Sequence, residues 1–385
     1  MWQLPILVTL VVVLAALAAV PHREIDWKGT VIPLAQKYYD LKDTTNDEPL
    51  RGKIVVVTGC TSGIGLSMTK ALSKLGATVV GIGRSSTKLN QLKEEVSTVQ
   101  PFVADFTDLA SVAKAADEIL SQYDHIDILI NNAGMHDGLN NWKGNRVSAQ
   151  GHDMVFTVNY LSHFLLTEKL SAAMHNNATQ RPTIVQVASS FHYSVDGSDL
   201  LAQGTDNIPV AAKKGGNSGL GGLLRSSRSY SNSKLAQILH ARALRRRHPL
   251  WSKSSKARIV SVCPGIVGTN IGGRTFKKAM DLGFPVEGWG IATPLMAMFM
   301  DGDKGDYLTS ASVFGLAFLS DYFHHPMFYF TGVRDAIVWM FLFIVGAFQR
   351  VTARVASQRS SVESYDETLE DSLYQWSLHA VQEFL

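Results

Sequence analysis

The stretch that decides the fold is Ile54-Val55-Val56-Val57-Thr58-Gly59-Cys60-Thr61-Ser62-Gly63-Ile64-Gly65. Its opening apolar, β-branched run is typical of a strand buried on both faces. After the glycines, apolar residues recur with the period of a helix. A helix that starts at a glycine loop presents free N–H groups to a phosphate, so the stretch predicts a dinucleotide-binding unit. The spacing is TGxxxGxG rather than GxGxxG, which separates it from ordinary two-domain dehydrogenases.

Beyond this unit, short β-branched runs alternate with helix-period segments, at residues 78–82, 102–104, 128–130, 183–187 and 258–262. Such alternation, with right-handed crossovers, predicts an α/β fold with a Rossmann-type, doubly wound parallel sheet in a single domain. We place this domain at residues 51–312. The long Gly-rich stretch 191–229 breaks the rhythm and is interpreted as a lid or a disordered excursion.

The glycine loop supplies the first cofactor contacts. We expect Gly59 to permit a tight turn, Gly63 to let the backbone approach the pyrophosphate, and Gly65 to let the helix pack on the strand. Ser62 and Ile64 belong to the same predicted contact surface.

The ends of the next two strands bear on the choice of cofactor. The second strand ends in Gly83-Arg84-Ser85 and carries no carboxylate for a ribose 2′-hydroxyl. Arg84 offers a fork for a 2′-phosphate, which favours NADP(H) over NAD(H); an exposed surface arginine is the alternative. Asp105 is predicted to meet the adenine, or else to be a solvated turn carboxylate.

Tyr230 and Lys234 lie four residues apart in a stretch of helical period, so they share one face. A phenol of pKa ~10 is a poor base near neutrality, but an adjacent ammonium and an oxidised nicotinamide stabilise its phenolate. Ser190, at the end of the fifth strand, is expected to hold the substrate oxygen, with Ser189 as the alternative. Asn159 is expected to hold a water that passes protons to Lys234.

Composition excludes several classes of protein. The formal net charge is +3, from 36 basic and 33 acidic residues mixed along the chain, so no nucleic-acid partner is expected. The two cysteines, Cys60 and Cys263, form no metal-binding or redox motif, and we expect no metal. The basic cluster 242–248 is interpreted as the solvated end of a helix.

The N-terminus predicts a membrane segment. Residues 1–20 are almost wholly apolar, and ~20 helical residues span the ~30 Å hydrocarbon core. A cleaved signal peptide is the alternative, but basic residues follow the apolar run and none precedes it. This asymmetry favours a retained transmembrane anchor with the following domain on the cytosolic side. Residues 21–50 are interpreted as a polar linker.

A second apolar region, 311–348, is interrupted by charges and rich in aromatics. Membrane contact is favoured over a plain buried helix. We assign residues 313–360 to an apolar helical insert and 361–385 to a C-terminal amphipathic helix.

The motifs together resemble the short-chain dehydrogenase/reductase superfamily. The quoted loop is followed by Asn131-Asn132-Ala133-Gly134, Asn159, Ser189-Ser190, Tyr230-Ser231-Asn232-Ser233-Lys234 and Pro264-Gly265-Ile266-Val267-Gly268-Thr269. The segment Asn159-Tyr160-Leu161-Ser162-His163-Phe164-Leu165-Leu166-Thr167 and the final Leu373-Tyr374-Gln375-Trp376-Ser377 are similar to its membrane-anchored retinol dehydrogenase and WW-domain-containing oxidoreductase branch.

The resemblance implies a catalytic set of Asn159, Ser190, Tyr230 and Lys234. It further implies that Asn132, Ala133 and Gly134 line the cofactor cleft, and that Pro264, Gly265, Val267 and Thr269 approach the nicotinamide. The Gly-rich loop and the apolar insert depart from the pattern, and the loop resembles the corresponding region of protochlorophyllide reductases.

The function expected is that of an NADP(H)-dependent oxidoreductase acting on a lipophilic alcohol or carbonyl such as a retinoid, a steroid or another lipid. A tetrapyrrole reductase and a non-catalytic NADP(H)-binding membrane scaffold are the alternatives. The resemblance also implies a homodimer, on the endoplasmic reticulum or a lipid droplet.

Overall fold

The structure is a computed structural model, and it describes only part of the chain. The described residues are 25–42, 46–136, 147–176, 181–200, 228–253, 257–265, 267, 290–300, 307–311, 354–358 and 360–385. The predicted anchor 1–20, most of the Gly-rich loop, Thr269 and most of the apolar insert lie outside these residues.

The centre of the fold is one sheet of eight described strands in the order β3-β2-β1-β4-β5-β6-β7-β8. The strands are β1 (Ile54–Thr58), β2 (Thr78–Gly83), β3 (Val99–Val103), β4 (Ile128–Asn131), β5 (Thr183–Val187), β6 (Arg258–Cys263), β7 (Tyr307–Ala311) and β8 (Arg354–Gln358). Neighbours from β3 to β7 pair in parallel, and β8 pairs antiparallel with β7. The predicted Rossmann-type parallel sheet is therefore confirmed.

Helices cover both faces of the sheet. They are α1 (Ile32–Tyr38), α2 (Gly63–Lys74), α3 (Ser86–Glu95), α4 (Leu109–Gln122), α5 (Met154–Phe156), α6 (Ser162–His175), α7 (Arg228–Arg247), α8 (Ile291–Ala297) and α9 (Glu367–Val381). Side chains of α1, α2, α3 and α8 pack on one face, and those of α4, α6, α7 and α9 on the other. Alternate residues of β1 enter these two cores, which is why its sequence is apolar without interruption.

Part of the predicted linker 21–50 belongs to the domain. A π-helical turn (Trp27–Val31) leads into α1, where Val31 and Ala35 are fully buried. The Tyr38 hydroxyl lies 3.0 Å from Thr183 Oγ1 at the start of β5. The helix α1 was not predicted because this stretch is mostly polar. Only a few of its side chains are apolar, and these are enough to cover the sheet.

The C-terminal boundary also differs from the prediction. Residues 354–358, assigned to the apolar insert, form the edge strand β8, with Tyr307 opposite Gln358. Their sequence, Arg-Val-Ala-Ser-Gln, has too little apolar alternation to indicate a strand. Pairing with β7 alone defines it.

Within the part of the chain that the structure describes, every helix is too short or too polar to cross a bilayer. The predicted transmembrane anchor 1–20 and nearly all of 311–348 fall outside that part.

Candidate active site

The candidate site lies where the strand order reverses, between β1 and β4. In open α/β sheets, ligands bind beyond the carboxyl ends of the strands at this switch point. Two loops leave the sheet here, and Thr58 joins them. Its Oγ1 accepts the N–H groups of Asn132 and Ala133, both at 2.8 Å, and its carbonyl accepts Asn132 Nδ2 at 2.8 Å. The glycine loop and the segment Asn132–Gly134 therefore form one unit.

The glycine loop has the backbone that a phosphate cradle requires. Gly59 and Gly63 have φ values of +69° and +55°, a region that favours glycine. A Cβ on Gly65 would collide with the carbonyl oxygen of Gly59 and lie 2.6 Å from Asn132 Nδ2. Ser62 precedes α2 without a side-chain capping bond, and Ile64 lies half-buried in the first turn. Free amides at the start of α2 and a close backbone fit a dinucleotide pyrophosphate.

The two residues predicted to select and hold the nucleoside lie at the same edge of the sheet. Arg84 directly follows β2 and is exposed. Asp105 is exposed beyond β3, and its Oδ1 accepts the N–H and the hydroxyl of Thr107 at 3.0 and 2.9 Å. The Asp105 carboxylate is thus already engaged by its own turn.

Asn159 lies in a π-helical turn (Thr157–Leu161) between α5 and α6. Such turns within helices are frequent at functional sites. Its Oδ1 accepts the Met135 N–H at 2.8 Å, and its Nδ2 donates to the Met135 carbonyl at 3.0 Å and to Ser233 Oγ at 2.9 Å. Ser233 Oγ in turn donates to the Tyr230 carbonyl at 2.7 Å. Asn159 therefore ties the loop after β4 to the helix that carries Tyr230.

Tyr230 and Lys234 lie on the same side of α7, with Lys234 Nζ 5.5 Å from the centre of the Tyr230 ring. The ammonium nitrogen is buried and donates to the Val187 carbonyl at 2.8 Å and to Gln237 Oε1 at 3.0 Å. Burial lowers the pKa of Lys234 to about 7. Burial also raises the pKa of Tyr230, and a hydrogen bond with the Ser189 side chain opposes that rise.

The serine that contacts Tyr230 differs from the one predicted. The side-chain hydrogen bond joins Tyr230 to Ser189. Ser189 Oγ also accepts the Phe191 N–H at 3.3 Å and so caps a 3-10 turn that begins at Ser190. This contact favours Ser189, the alternative given from the sequence, and Ser190 as the catalytic hydroxyl stays a prediction. Ser189 and Ser190 are neighbours of the same residue type, so the sequence does not distinguish their roles. The path of the chain after β5 decides which of them contacts Tyr230.

The segment after β6 carries the residues predicted to approach the nicotinamide. Pro264 is buried, Gly265 has a φ of +83°, and Val267 is partly buried. A Cβ on Gly290, just before α8, would lie 2.6 Å from Val267 Cγ1, so the segment packs closely on that helix start. Thr269 lies outside the described residues.

Sequence reasoning missed two aromatic neighbours of Tyr230 and one buried histidine. The rings of His136 and Phe191 lie 4.5 and 5.9 Å from the Tyr230 ring. His163 Nδ1 lies 3.0 Å from the Asn159 carbonyl oxygen, and its Nε2 lies 2.9 Å from Thr58 Oγ1. One signal for His163 was present in the sequence. It lies four positions after Asn159 in the segment 159–167, so the two residues share one face of a helix.

Comparison with known proteins agrees with this geometry. Residues 53–195 match the family model described as short chain dehydrogenase. An uncharacterized oxidoreductase of Schizosaccharomyces pombe is 32% identical over 241 residues, 60% of this chain and 65% of that protein. Retinol dehydrogenase 14 of Mus musculus is 30% identical over 240 residues, 58% of this chain and 64% of that protein. The chain thus matches slightly less than two thirds of the length of these relatives.

The fold has a counterpart among solved structures. An uncharacterized protein from Mycobacterium paratuberculosis superposes with a TM-score of 0.56 at 22% identity, covering 86% of this chain and 94% of that one. At this identity the likeness concerns the fold alone. Residues 53–195 are thus similar to the short chain dehydrogenase family, and the motif order and the sheet topology agree with that similarity.

Proposed function

We propose that this chain is an NADP(H)-dependent oxidoreductase that interconverts an alcohol and a carbonyl on a lipophilic substrate such as a retinoid, a steroid or another lipid. The observation that carries the proposal is the buried pair Tyr230 and Lys234 on one face of α7, with Ser189 bonded to the tyrosine. The similarity to a retinol dehydrogenase supports the lipophilic substrate.

The residues that would hold the dinucleotide are those of the glycine loop, the segment Asn132–Gly134, and Pro264, Gly265, Val267 and Thr269. When bound, the cofactor supplies or accepts the hydride. Arg84 and the lack of a carboxylate at the end of β2 support the choice of NADP(H), because a guanidinium pairs with a 2′-phosphate.

Tyr230 exchanges a proton with the substrate oxygen, and Ser189 holds that oxygen by a hydrogen bond. In the protein alone, burial leaves the tyrosine a weaker acid than a free phenol. Bringing its pKa to neutrality requires at least ~3 units of lowering, or ~4 kcal/mol of preference for the phenolate. The protonated Lys234 side chain supplies part of that preference, and the positive charge of the oxidised nicotinamide is the second source.

Asn159 acts as a positioning residue in this proposal. Both polar atoms of its side chain are engaged by Met135 and Ser233, so its contacts favour alignment of the loop and α7 over the predicted water-holding role. Its loss would disturb both the cofactor loop and Tyr230.

We also propose that residues 1–20 anchor the chain in the membrane of the endoplasmic reticulum or a lipid droplet, with the catalytic domain in the cytosol and residues 311–348 in contact with the bilayer. A hydrophobic substrate dissolved in the membrane would then reach the active site at high local concentration. Asn177-Ala178-Thr179 is a glycosylation acceptor and reports the side of the membrane. An unmodified Asn177 in membranes that glycosylate a control is the expected result, and a modified one contradicts a cytosolic domain.

The decisive experiment measures NADPH and NADH consumption by membranes containing the full chain, with retinal and a ketosteroid as substrates. We expect turnover with NADPH that is lost in Tyr230→Phe, while NADPH binding by that variant persists. Turnover in Tyr230→Phe near the wild-type rate would contradict the role of the tyrosine. Binding of NADPH without turnover of retinal, the ketosteroid or an added tetrapyrrole would instead favour a non-catalytic scaffold.

A further inference from the structure

His192 connects the turn that carries Ser189 to the far end of the chain. It is fully buried, and its Nδ1 lies 2.7 Å from the Ser189 carbonyl oxygen. Its Nε2 accepts the backbone N–H of Ser361 at 3.1 Å, across 169 positions of sequence. The imidazole therefore bridges two backbone groups from different parts of the fold.

The two contacts define the protonation state of His192. A carbonyl oxygen only accepts, so Nδ1 must carry the hydrogen, and Nε2 is left as the acceptor for Ser361. Only the neutral ring in this tautomer satisfies both groups. Burial lowers the pKa of His192 to about 4, which agrees with a neutral ring at physiological pH.

The C-terminal segment, residues 360–385, is itself held firmly. The Ser361 carbonyl accepts the Ser364 N–H at 3.1 Å and its hydroxyl at 2.7 Å, closing a 3-10 turn (Val362–Tyr365). Arg246 of α7 donates to Glu367 at 2.7 Å and to Glu370 at 3.3 Å. The segment is thus fastened to the same helix that carries Tyr230.

Ser361 belongs to a firmly held segment, whereas Ser189 begins an irregular turn. The bridge through His192 therefore lets Ser361 set the position of Ser189. Packing of the His192 ring against Tyr193 and Tyr307, with ring centres 4.0 and 4.8 Å away, restricts its rotation. A side chain that holds the backbone of a catalytic residue keeps that residue in its reactive position. A small displacement of a catalytic group lowers the reaction rate strongly.

We propose that His192 is a positioning residue through which the C-terminal segment holds Ser189 in reach of Tyr230 and the substrate oxygen. This inference rests on the proposed function, since it assigns Ser189 to that oxygen. On this proposal, the C-terminal segment, residues 360–385, helps to form the active site.

The test exploits the backbone of Ser361, whose φ of −57° matches that of proline. Ser361→Pro removes the N–H that His192 accepts and preserves the local conformation. Ser361→Ala loses the same hydroxyl but keeps the N–H, so it is the matched control. We expect Ser361→Pro to lower kcat about tenfold with NADPH affinity unchanged, and Ser361→Ala to stay within about twofold of wild type.

Two further measurements make the result decisive. His192→Asn, whose shorter side chain keeps a donor near the Ser189 carbonyl but places no acceptor at the Nε2 position, should reproduce the loss seen in Ser361→Pro. In ¹⁵N-histidine spectra of the full chain, the Nε2 signal of His192 should move in Ser361→Pro and not in Ser361→Ala.

Equal kcat values in the Pro and Ala variants, with both folded, would overturn the inference. An unmoved His192 Nε2 signal in Ser361→Pro would overturn it as well. Because the spectra need no turnover, an inactive wild-type chain would count against the proposed function, while the signal of His192 would still decide whether the link exists.

Discussion

Replacing Ser189 by alanine should cost more activity than replacing Ser190, although the two serines are adjacent. Ser189 bonds to Tyr230, and in the proposed mechanism it also donates to the substrate oxygen as negative charge develops there. A hydrogen bond to a charged group contributes about 1.5–3 kcal/mol, and loss of one oxyanion donor costs about 10²–10³ in kcat. We therefore expect Ser189→Ala to lower kcat about 10²-fold and Ser190→Ala to change it less than about threefold.

The pH dependence of alcohol oxidation provides a second readout. The Ser189 hydrogen bond lowers the pKa of Tyr230 against the effect of burial, so its removal must raise that pKa. Oxidation needs the deprotonated tyrosine, and its activity is present above the tyrosine pKa and lost below it. The acid limb of the rate profile should therefore move to higher pH in Ser189→Ala.

The assay is NADPH or NADP⁺ turnover at saturating cofactor, accompanied by thermal unfolding. Ser189 also caps the 3-10 turn, so the alanine variant is expected to lose about 1 kcal/mol of stability. Ser189→Thr keeps a hydroxyl and should restore most of the rate. A normal rate in Ser189→Ala together with a large loss in Ser190→Ala would refute the reasoning.

Three other perturbations test separate contacts. Lys234→Met should lower kcat by at least about 10²-fold in turnover assays, because it removes the cation near the Tyr230 ring; an unchanged rate would exclude that role. Arg84→Asp should shift preference from NADPH towards NADH by about tenfold or more in kcat/KM, since a carboxylate suits a ribose 2′-hydroxyl; no shift would show that Arg84 is only a surface residue. Tyr38→Phe should lower the unfolding free energy by about 1 kcal/mol in denaturant titrations, because it removes the buried bond to Thr183; no change would mean that α1 adds little to the domain.

The parts of the site that sequence could predict are those in which neighbours along the chain are also neighbours in space. The glycine loop directly follows β1, and its requirement for Gly65 comes from the carbonyl of Gly59 only six positions away. Tyr230 and Lys234 share a helical face because of their spacing alone. Family resemblance then supplied the order of the distant motifs.

Contacts between distant elements escaped prediction. The basic cluster at the end of α7 was expected to be solvated, but Arg246 and Arg247 pair with acidic residues of α9, including Glu370 and Asp371. A pattern of charges in the sequence indicates that a helix face is polar. It does not indicate which other element of the fold packs against that face. The helix α1 was hidden for the same reason, since its burial depends on a sheet built from residues far along the chain.

Local periodicity by itself determined the strand, the loop and the helix that define the dinucleotide-binding unit, because backbone geometry repeats over a few residues and leaves its mark on their composition. Tertiary structure alone decided that Ser189 faces Tyr230 and that Ser361 reaches His192. Those contacts depend on the direction in which an irregular turn leaves β5 and on how a distant segment packs, and no short-range pattern of residues encodes either.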